Sequence, residues 1–189
     1  MPVGDSQRLF IGLGVPDDVR KRLLERLDGW RARFPFSRWA HPDDWHITLH
    51  FIGETDADRI PAIVRALDES AAAARPFDIR LRGLGTFGTP ARPAVLHVLP
   101  EGRHEPLRAL HASLGAALGR AIGFKPDDRP YRPHLTLARK YAGEAPWDPA
   151  LAAAETFAAS WTARDVCLFR SRLGRSPMYE VVRRAPFGG

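Results

Sequence analysis

One four-residue pattern occurs twice in this 189-residue chain, and the spacing of the copies constrains the fold more than any other feature. His46-Ile47-Thr48-Leu49 returns as His134-Leu135-Thr136-Leu137, an offset of 88 positions and close to half the length. Each copy follows a charged, turn-forming stretch: His41-Pro42-Asp43-Asp44 before the first, Asp127-Asp128-Arg129-Pro130 before the second. A repeat at half the chain length implies two similar lobes, each giving one strand to a shared cleft. Alternate residues of a strand share a face, about 6.6 Å apart. His46 and Thr48 therefore point one way while Ile47 and Leu49 point into a core, and the second copy does the same.

The rest of the chain alternates short strands with amphipathic helices. Residues 8–13 and 45–52 read as strands. Between them Pro16-Asp17-Asp18 opens a helix with carboxylates at its positive end, and Val19, Leu23, Leu27 and Trp30 form its apolar face. Thr55 and Asp58 have the form of a capping box ahead of a helix with a stripe of Ile60, Ile63, Val64 and Leu67. Residues 77–82 alternate as a strand with one wet face, residues 83–93 read as a glycine- and proline-rich loop, and 94–99 as a strand. Leu107, Leu110, Leu114 and Leu118 mark a third helix, ended by Gly123. Residues 133–140 form the second motif strand, alanine-rich 143–159 gives no clear element, and 164–171 with 178–184 read as a closing hairpin around Gly174. The expectation is an α+β fold with mainly antiparallel sheets, organised as a single unit over residues 1–189 with two internal halves.

Composition limits the setting. No apolar run approaches the roughly 20 residues of a membrane helix, and the N-terminus lacks the basic, apolar and cleavage segments of a signal peptide. One cysteine, Cys167, cannot close an internal disulfide, which suits a reducing compartment. A soluble, cytoplasmic protein is expected. The net charge is +6 and only Lys21, Lys125 and Lys140 are lysines. This arginine-dominated excess suits an anionic partner, since the guanidinium fork matches phosphate.

Two imidazoles and two hydroxyls around one cavity have a specific chemical use. Imidazole gains and loses protons near pH ~6.5, so it serves as acid or base at neutrality. In-line opening of a phosphodiester requires a proton removed from the nucleophile on one side and one delivered to the leaving oxygen on the other. Histidines on opposing walls supply both, and threonine hydroxyls donate to the non-bridging oxygens. That scheme uses no metal or cofactor. The motif is symmetric, so the residues alone do not say which histidine is the acid.

Three segments resemble the two-histidine phosphoesterase superfamily: Arg8-Leu9-Phe10-Ile11, the run from Trp45 through His46-Ile47-Thr48-Leu49-His50-Phe51 to Gly53, and Arg129-Pro130-Tyr131-Arg132-Pro133-His134-Leu135-Thr136-Leu137-Ala138-Arg139. The branch they are most similar to is the bacterial and archaeal RNA 2',3'-cyclic phosphodiesterases, also called 2'-5' RNA ligase-like. The resemblance implies a bilobal fold of two pseudo-symmetric antiparallel sheets, helices outside and the active site between the lobes. It implies hydrolysis of a 2',3'-cyclic phosphate at an RNA end, tRNA fragments among the candidates, to a 2'-phosphomonoester by a monomer without cofactor. Reversible 2'-5' ligation is the same reaction run backwards. Carried over, His46 is the proton donor and His134 the acceptor, and Thr48, Thr136 and Arg139 hold the phosphate. Strict alternation puts Arg139 on the face opposite His134 unless the strand twists or ends there.

Other readings stay open. His41, His46 and His50 could form a zinc site, although no standard ligand spacing is present. His50 shares the face of His46 by alternation, and Phe10 is either a base-stacking or a core ring. His97, His104 and His111 read as structural or surface residues. A non-catalytic RNA-binding module, or a phosphodiesterase acting on 2'-5' oligonucleotides or an ADP-ribose cyclic phosphate, would carry the same charge and cleft.

Overall fold

The computed structural model describes residues 6–189, and the part of the N-terminal reading that falls on residues 1–5 lies outside them. The elements run β1 (Gln7–Gly14), α1 (Asp17–Arg33), β2 (Phe36–Trp39), β3 (His46–Thr55), α2 (Ile60–Ala73), β4 (Phe77–Thr89), β5 (Arg92–Pro100), α3 (Glu105–Ile122), β6 (Leu135–Tyr141), α4 (Pro149–Ala153), β7 (Ala158–Ala163), β8 (Asp165–Ser171) and β9 (Tyr179–Pro186). The fold is α+β with antiparallel pairing throughout.

The two expected sheets are halves of one. Strands follow the order β7-β4-β5-β6-β3-β1-β8-β9, with β2 paired to β6. The halves meet between β6 and β3 through a single residue pair, Ile47 with Leu135. One face carries the main core, where Leu9, Ile11 and Leu13 pack with Val19, Leu23, Leu27 and Trp30 of α1 and the leucines of α3. Each fully buried aliphatic or aromatic side chain of this kind contributes about 1.5–3 kcal/mol. On the other face a smaller cluster of Phe10, Cys167 and Phe169 packs against Tyr179.

The helices obey their sequence signals. Helix α1 starts after Pro16 with Asp17 and Asp18 in its first turn, and α3 ends at Gly123, whose φ of 68° is a left-handed conformation that glycine adopts without strain. The Thr55–Asp58 capping box does not form. Thr55 ends β3 and donates its hydroxyl to the Gly53 carbonyl instead, and a short 3-10 turn, Ala57–Arg59, leads into α2.

Two expectations about irregular segments are corrected. Residues 83–93 are not a loop; most of them belong to the β4–β5 hairpin. Its register shifts at Arg82/Leu84 and Phe87/Gly88, where Gly83 and Gly88 take φ of 66° and 114°. The glycines are ladder bulges, which absorb an extra residue and bend the strand. The unassigned stretch 143–159 contains α4, capped by the Asp148 carboxylate on the Ala150 amide, and the start of β7. Strand β6 begins one residue after His134, so the second histidine sits at the strand entrance.

A side-chain tie supports the narrow seam. The Tyr131 hydroxyl, in the segment leading to His134, donates to the Thr48 carbonyl of β3 at 2.9 Å. Tyr131 stacks on His111 (4.0 Å), which stacks on His50 (4.1 Å). Replacing Tyr131 by Phe keeps the stack and removes the bond. The expected result is a loss of about 1 kcal/mol, seen as a lower urea midpoint with unchanged m-value; an unmoved midpoint would show that the bond does not support the seam.

Candidate active site

Extending the antiparallel register of Ile47 and Leu135 by one residue each way sets His46 opposite Thr136 and Thr48 opposite His134. Four polar side chains thus share one face at the seam, all half-buried, while Ile47, Leu49, Leu135 and Leu137 are buried on the other. Opposite them in β1, Gly12 pairs with Thr48 and Gly14 with His46. Neither glycine carries a side chain, so this wall of the cleft stays open above the first motif.

Both motif strands then break step at the same place. The β1–β3 register skips Leu49, between the pairs Ile11–His50 and Gly12–Thr48. The β5–β6 register skips Leu137, between Leu96–Ala138 and His97–Thr136. A bulge puts two residues against one and shifts the later alternation by one. Leu49 and His50 are consequently both buried, as are Leu137 and Ala138. The shift returns Phe51 and Arg139, at equivalent positions of the two copies, to the face of the histidines. Arg139 therefore reaches the site that strict alternation denies it. His50 leaves it: its Nε2–H donates to the His111 carbonyl at 2.7 Å. The alternation that would put His50 on the face of His46 is thus broken at the bulge.

The two imidazoles are held alike. His46 donates Nδ1–H to the Asp44 carbonyl at 2.7 Å, and His134 donates Nδ1–H to the Arg132 carbonyl at 2.8 Å, each two residues upstream. With Nδ1 committed, Nε2 is the reactive nitrogen of both rings. On His46 it accepts from the Thr48 hydroxyl at 2.9 Å. The Asp44 carboxylate accepts the amides of Met178 and Tyr179 at 2.9 Å, anchoring the turn that carries His46 to the start of β9.

Aromatic rings back each histidine. Phe10 lies 4.7 Å from His46 and Tyr179 meets it edge-on at 5.1 Å. Phe10 is a buried ring of this second cluster, stacked on Phe169, rather than a free platform. Phe87 stands edge-on to His134 at 4.9 Å.

Burial dominates the electrostatics. It pushes His46 down to about 4, against the opposing pull of the Asp44 carbonyl and carboxylate, while the positive charges of His134 and Arg139 add to the decrease. Burial also lowers His134, and Arg139 lowers it further. Arg139 thus bears on both rings. The site holds two neutral imidazoles with their Nε2 atoms available, hydroxyls beside them and one guanidinium in reach. His41, His46 and His50 do not converge as zinc ligands, because His50 points to α3 and His41 Nδ1 accepts the Asp43 amide.

Sequence reasoning missed Asp44, Tyr131, Phe51 and Phe87. Asp44 and Tyr131 act through contacts with residues 134 and 83 positions away, which no local pattern announces. Phe51 had a signal: it stands five residues after His46, as Arg139 stands five after His134.

The sequence profile of the 2'-5' RNA ligase superfamily matches residues 15–175. A protein of Bacillus subtilis (strain 168) named RNA 2',3'-cyclic phosphodiesterase is 35% identical over 173 residues, covering 92% of each chain. Another of that name, from Geobacillus stearothermophilus, is 33% identical over 185 residues; these are 95% of this chain, which spans 57% of that relative's length. Among solved structures, TT0787 of Thermus thermophilus is similar at a TM-score of 0.77 and 30% identity, covering 96% of this chain and 98% of that one. LigT of E. coli, complexed with 3'-AMP, has the same fold at a TM-score of 0.78 and 23% identity, covering 98% and 100%. The chain belongs to the 2'-5' RNA ligase superfamily.

Proposed function

We propose that this protein is an RNA 2',3'-cyclic phosphodiesterase, opening a cyclic phosphate end to a 2'-phosphomonoester. One observation carries the proposal: two imidazoles on one sheet face at the seam, each with Nδ1 bound to a backbone carbonyl and Nε2 left for proton transfer. The names of relatives at 33–35% identity support the substrate class.

In the proposed reaction His134 Nε2 takes a proton from water as the water oxygen bonds to phosphorus. The P–O3' bond breaks, His46 Nε2–H protonates the departing O3', and the phosphate stays on O2'. Thr48, Thr136 and Arg139 hold the non-bridging oxygens, where negative charge is concentrated. The assignment of acid and base follows the family resemblance. His46 is neutral in the free site and must gain a proton to serve as acid. A bound phosphate anion favours that gain by placing negative charge beside the ring, and it can draw the Thr48 hydroxyl from Nε2 to its own oxygen. The two halves act as one unit, since each supplies one histidine and one threonine.

The net charge of +6 supports an RNA partner, with tRNA fragments among the substrates. No helix of the described residues is long and apolar enough to cross a membrane. The buried free thiol of Cys167 suits a reducing compartment; a cytoplasmic monomer is the reading that follows from the family resemblance, and size-exclusion chromatography and fractionation test it.

Replacing His46 or His134 by Ala is expected to lower kcat about 10²- to 10⁴-fold on a short RNA ending in a 2',3'-cyclic phosphate. RNA affinity should change by no more than a few-fold. Full-speed variants would leave a binding module as the better account. Mapping the product phosphate to the 2' or 3' oxygen decides the regiochemistry, and a 2'-5' dinucleotide assayed in parallel separates the sibling activity.

For kcat/KM, the free protein needs His134 neutral and His46 protonated. With His46 at about 4 and His134 below its ordinary value, the maximum falls below pH 6.5 and the rate declines towards pH 8. The alkaline limb of kcat lies at higher pH, because bound phosphate raises His46. A kcat/KM maximum above pH 7.5 would contradict the assignment.

Replacing Arg139 by Met is expected to raise KM roughly tenfold, as one charge-assisted contact to phosphate is lost. It also moves the kcat/KM maximum to higher pH, because a positive charge that lowers both histidines is gone. A pH profile left in place would remove Arg139 from the site.

A further inference from the structure

A third histidine stands beside the second motif and takes no part in the chemistry above. His97 of β5 pairs with Thr136 across the ladder and is 1% exposed. Neither ring nitrogen makes a well-aligned hydrogen bond, the backbone groups near it being those of Thr86 and His97 itself. Buried polar groups are ordinarily paired, and one left unpaired needs an explanation. An apolar residue would fill this position without the loss.

The surroundings are arranged around the ring. Gly85 faces His97 across the β4–β5 ladder, and a Cβ there would come within 2.7 Å of His97 Cε1. The strand gives up a side chain so that the imidazole fits. Phe87 covers it at 4.0 Å, and the His134 ring lies 5.6 Å away, centroid to centroid. Phe87 also stands edge-on to His134, so the three rings form one packed group at the seam.

The other polar neighbours of His134 are unsuited to supporting a proton on it. Arg139 of β6 is positively charged and lowers His134. His46 of β3 must itself be protonated during turnover. Thr136 and Thr48 are the proposed phosphate donors. Its Nδ1–H is already spent on the Arg132 carbonyl. Among these groups only His97 is a neutral polar ring with unshared nitrogens. Burial and the charge of His134 push His97 down to about 4, which keeps the buried ring neutral.

We propose that His97 is a positioning residue for the proton-accepting step, a buried neutral imidazole packed with Phe87 that holds His134 in place and supports it as imidazolium. The inference rests on the assignment of His134 as the proton acceptor. It predicts a histidine-dependent effect on turnover that packing alone would not give.

The test compares wild type with His97→Phe, which keeps a ring, and His97→Gln, which keeps a polar group. Initial rates on an RNA ending in a 2',3'-cyclic phosphate give kcat, KM and their pH dependence. In parallel, NMR follows the His134 Cε1–H resonance of the free protein from pH 4 to 8, assigned by its absence in His134→Ala. For His97→Phe the expectation is a kcat about tenfold lower, a KM within twofold and a thermal midpoint at or above wild type. The His134 titration should move to lower pH, and the pH profile of kcat/KM with it. His97→Gln should recover part of both. Wild-type kcat with an unmoved His134 titration in both variants overturns the proposal. So does a loss of activity that tracks a loss of folding. Should wild type itself leave the cyclic phosphate intact, the functional assignment fails separately, and the NMR shift alone then decides whether His97 supports charge on His134.

Discussion

The site depends on one pair of aliphatic residues. Ile47 and Leu135 are fully buried and form the one ladder pair between the motif strands β3 and β6, beside which β2 also pairs with β6. Because pairing is antiparallel, this contact sets each histidine across from the other copy's threonine. A slip of one residue in either strand would turn its imidazole into the core and its aliphatic neighbours into the cleft. The apolar contact therefore sets the geometry of the cleft, and it is defended on both sides: Leu49 and Leu137 flank it, and the Tyr131 hydroxyl bridges the two motif segments.

The matched bulges extend that logic. Each motif strand inserts a leucine, Leu49 or Leu137, against a neighbouring strand. The bulge buries two successive residues and brings the next one to the cleft. The half with the second motif gains a guanidinium there and the half with the first gains an aromatic ring, Phe51, which is 65% exposed. A backbone that is alike in both halves thus presents a charge on one side and a stacking surface on the other.

Burial sets the chemistry of the rings. Neutral imidazoles are favoured where water is excluded, and His46, His97 and His111 are all pushed to about 4. In the free protein the cleft faces Arg139 without a competing histidine charge, and the arrival of an anion supplies what His46 lacks. Asp44 moderates this effect. Its carbonyl and carboxylate both favour protonation of His46, while the carboxylate also clamps the amides at the start of β9.

Much of this was legible in the residues. The repeated His-x-Thr-x pattern located the two strands that face each other at the seam, because side-chain alternation over four residues is a local property. Helical stripes placed α1, α2 and α3, and Gly123 ended α3 as its left-handed backbone requires. Local patterns failed where long-range pairing decides the outcome. Glycines at 83 and 88 look like a loop until a partner strand makes them bulges. Arg139 and His50 exchange faces only when β5 and β1 are laid beside the motif strands, because a bulge exists only as a mismatch between two strands. The residues alone show which chemical groups are present and that they come in two copies. Tertiary structure alone decided that the copies share one sheet face, that His97 lies buried beside His134, and that Asp44 anchors the first histidine, because each of these depends on contacts between residues distant along the chain.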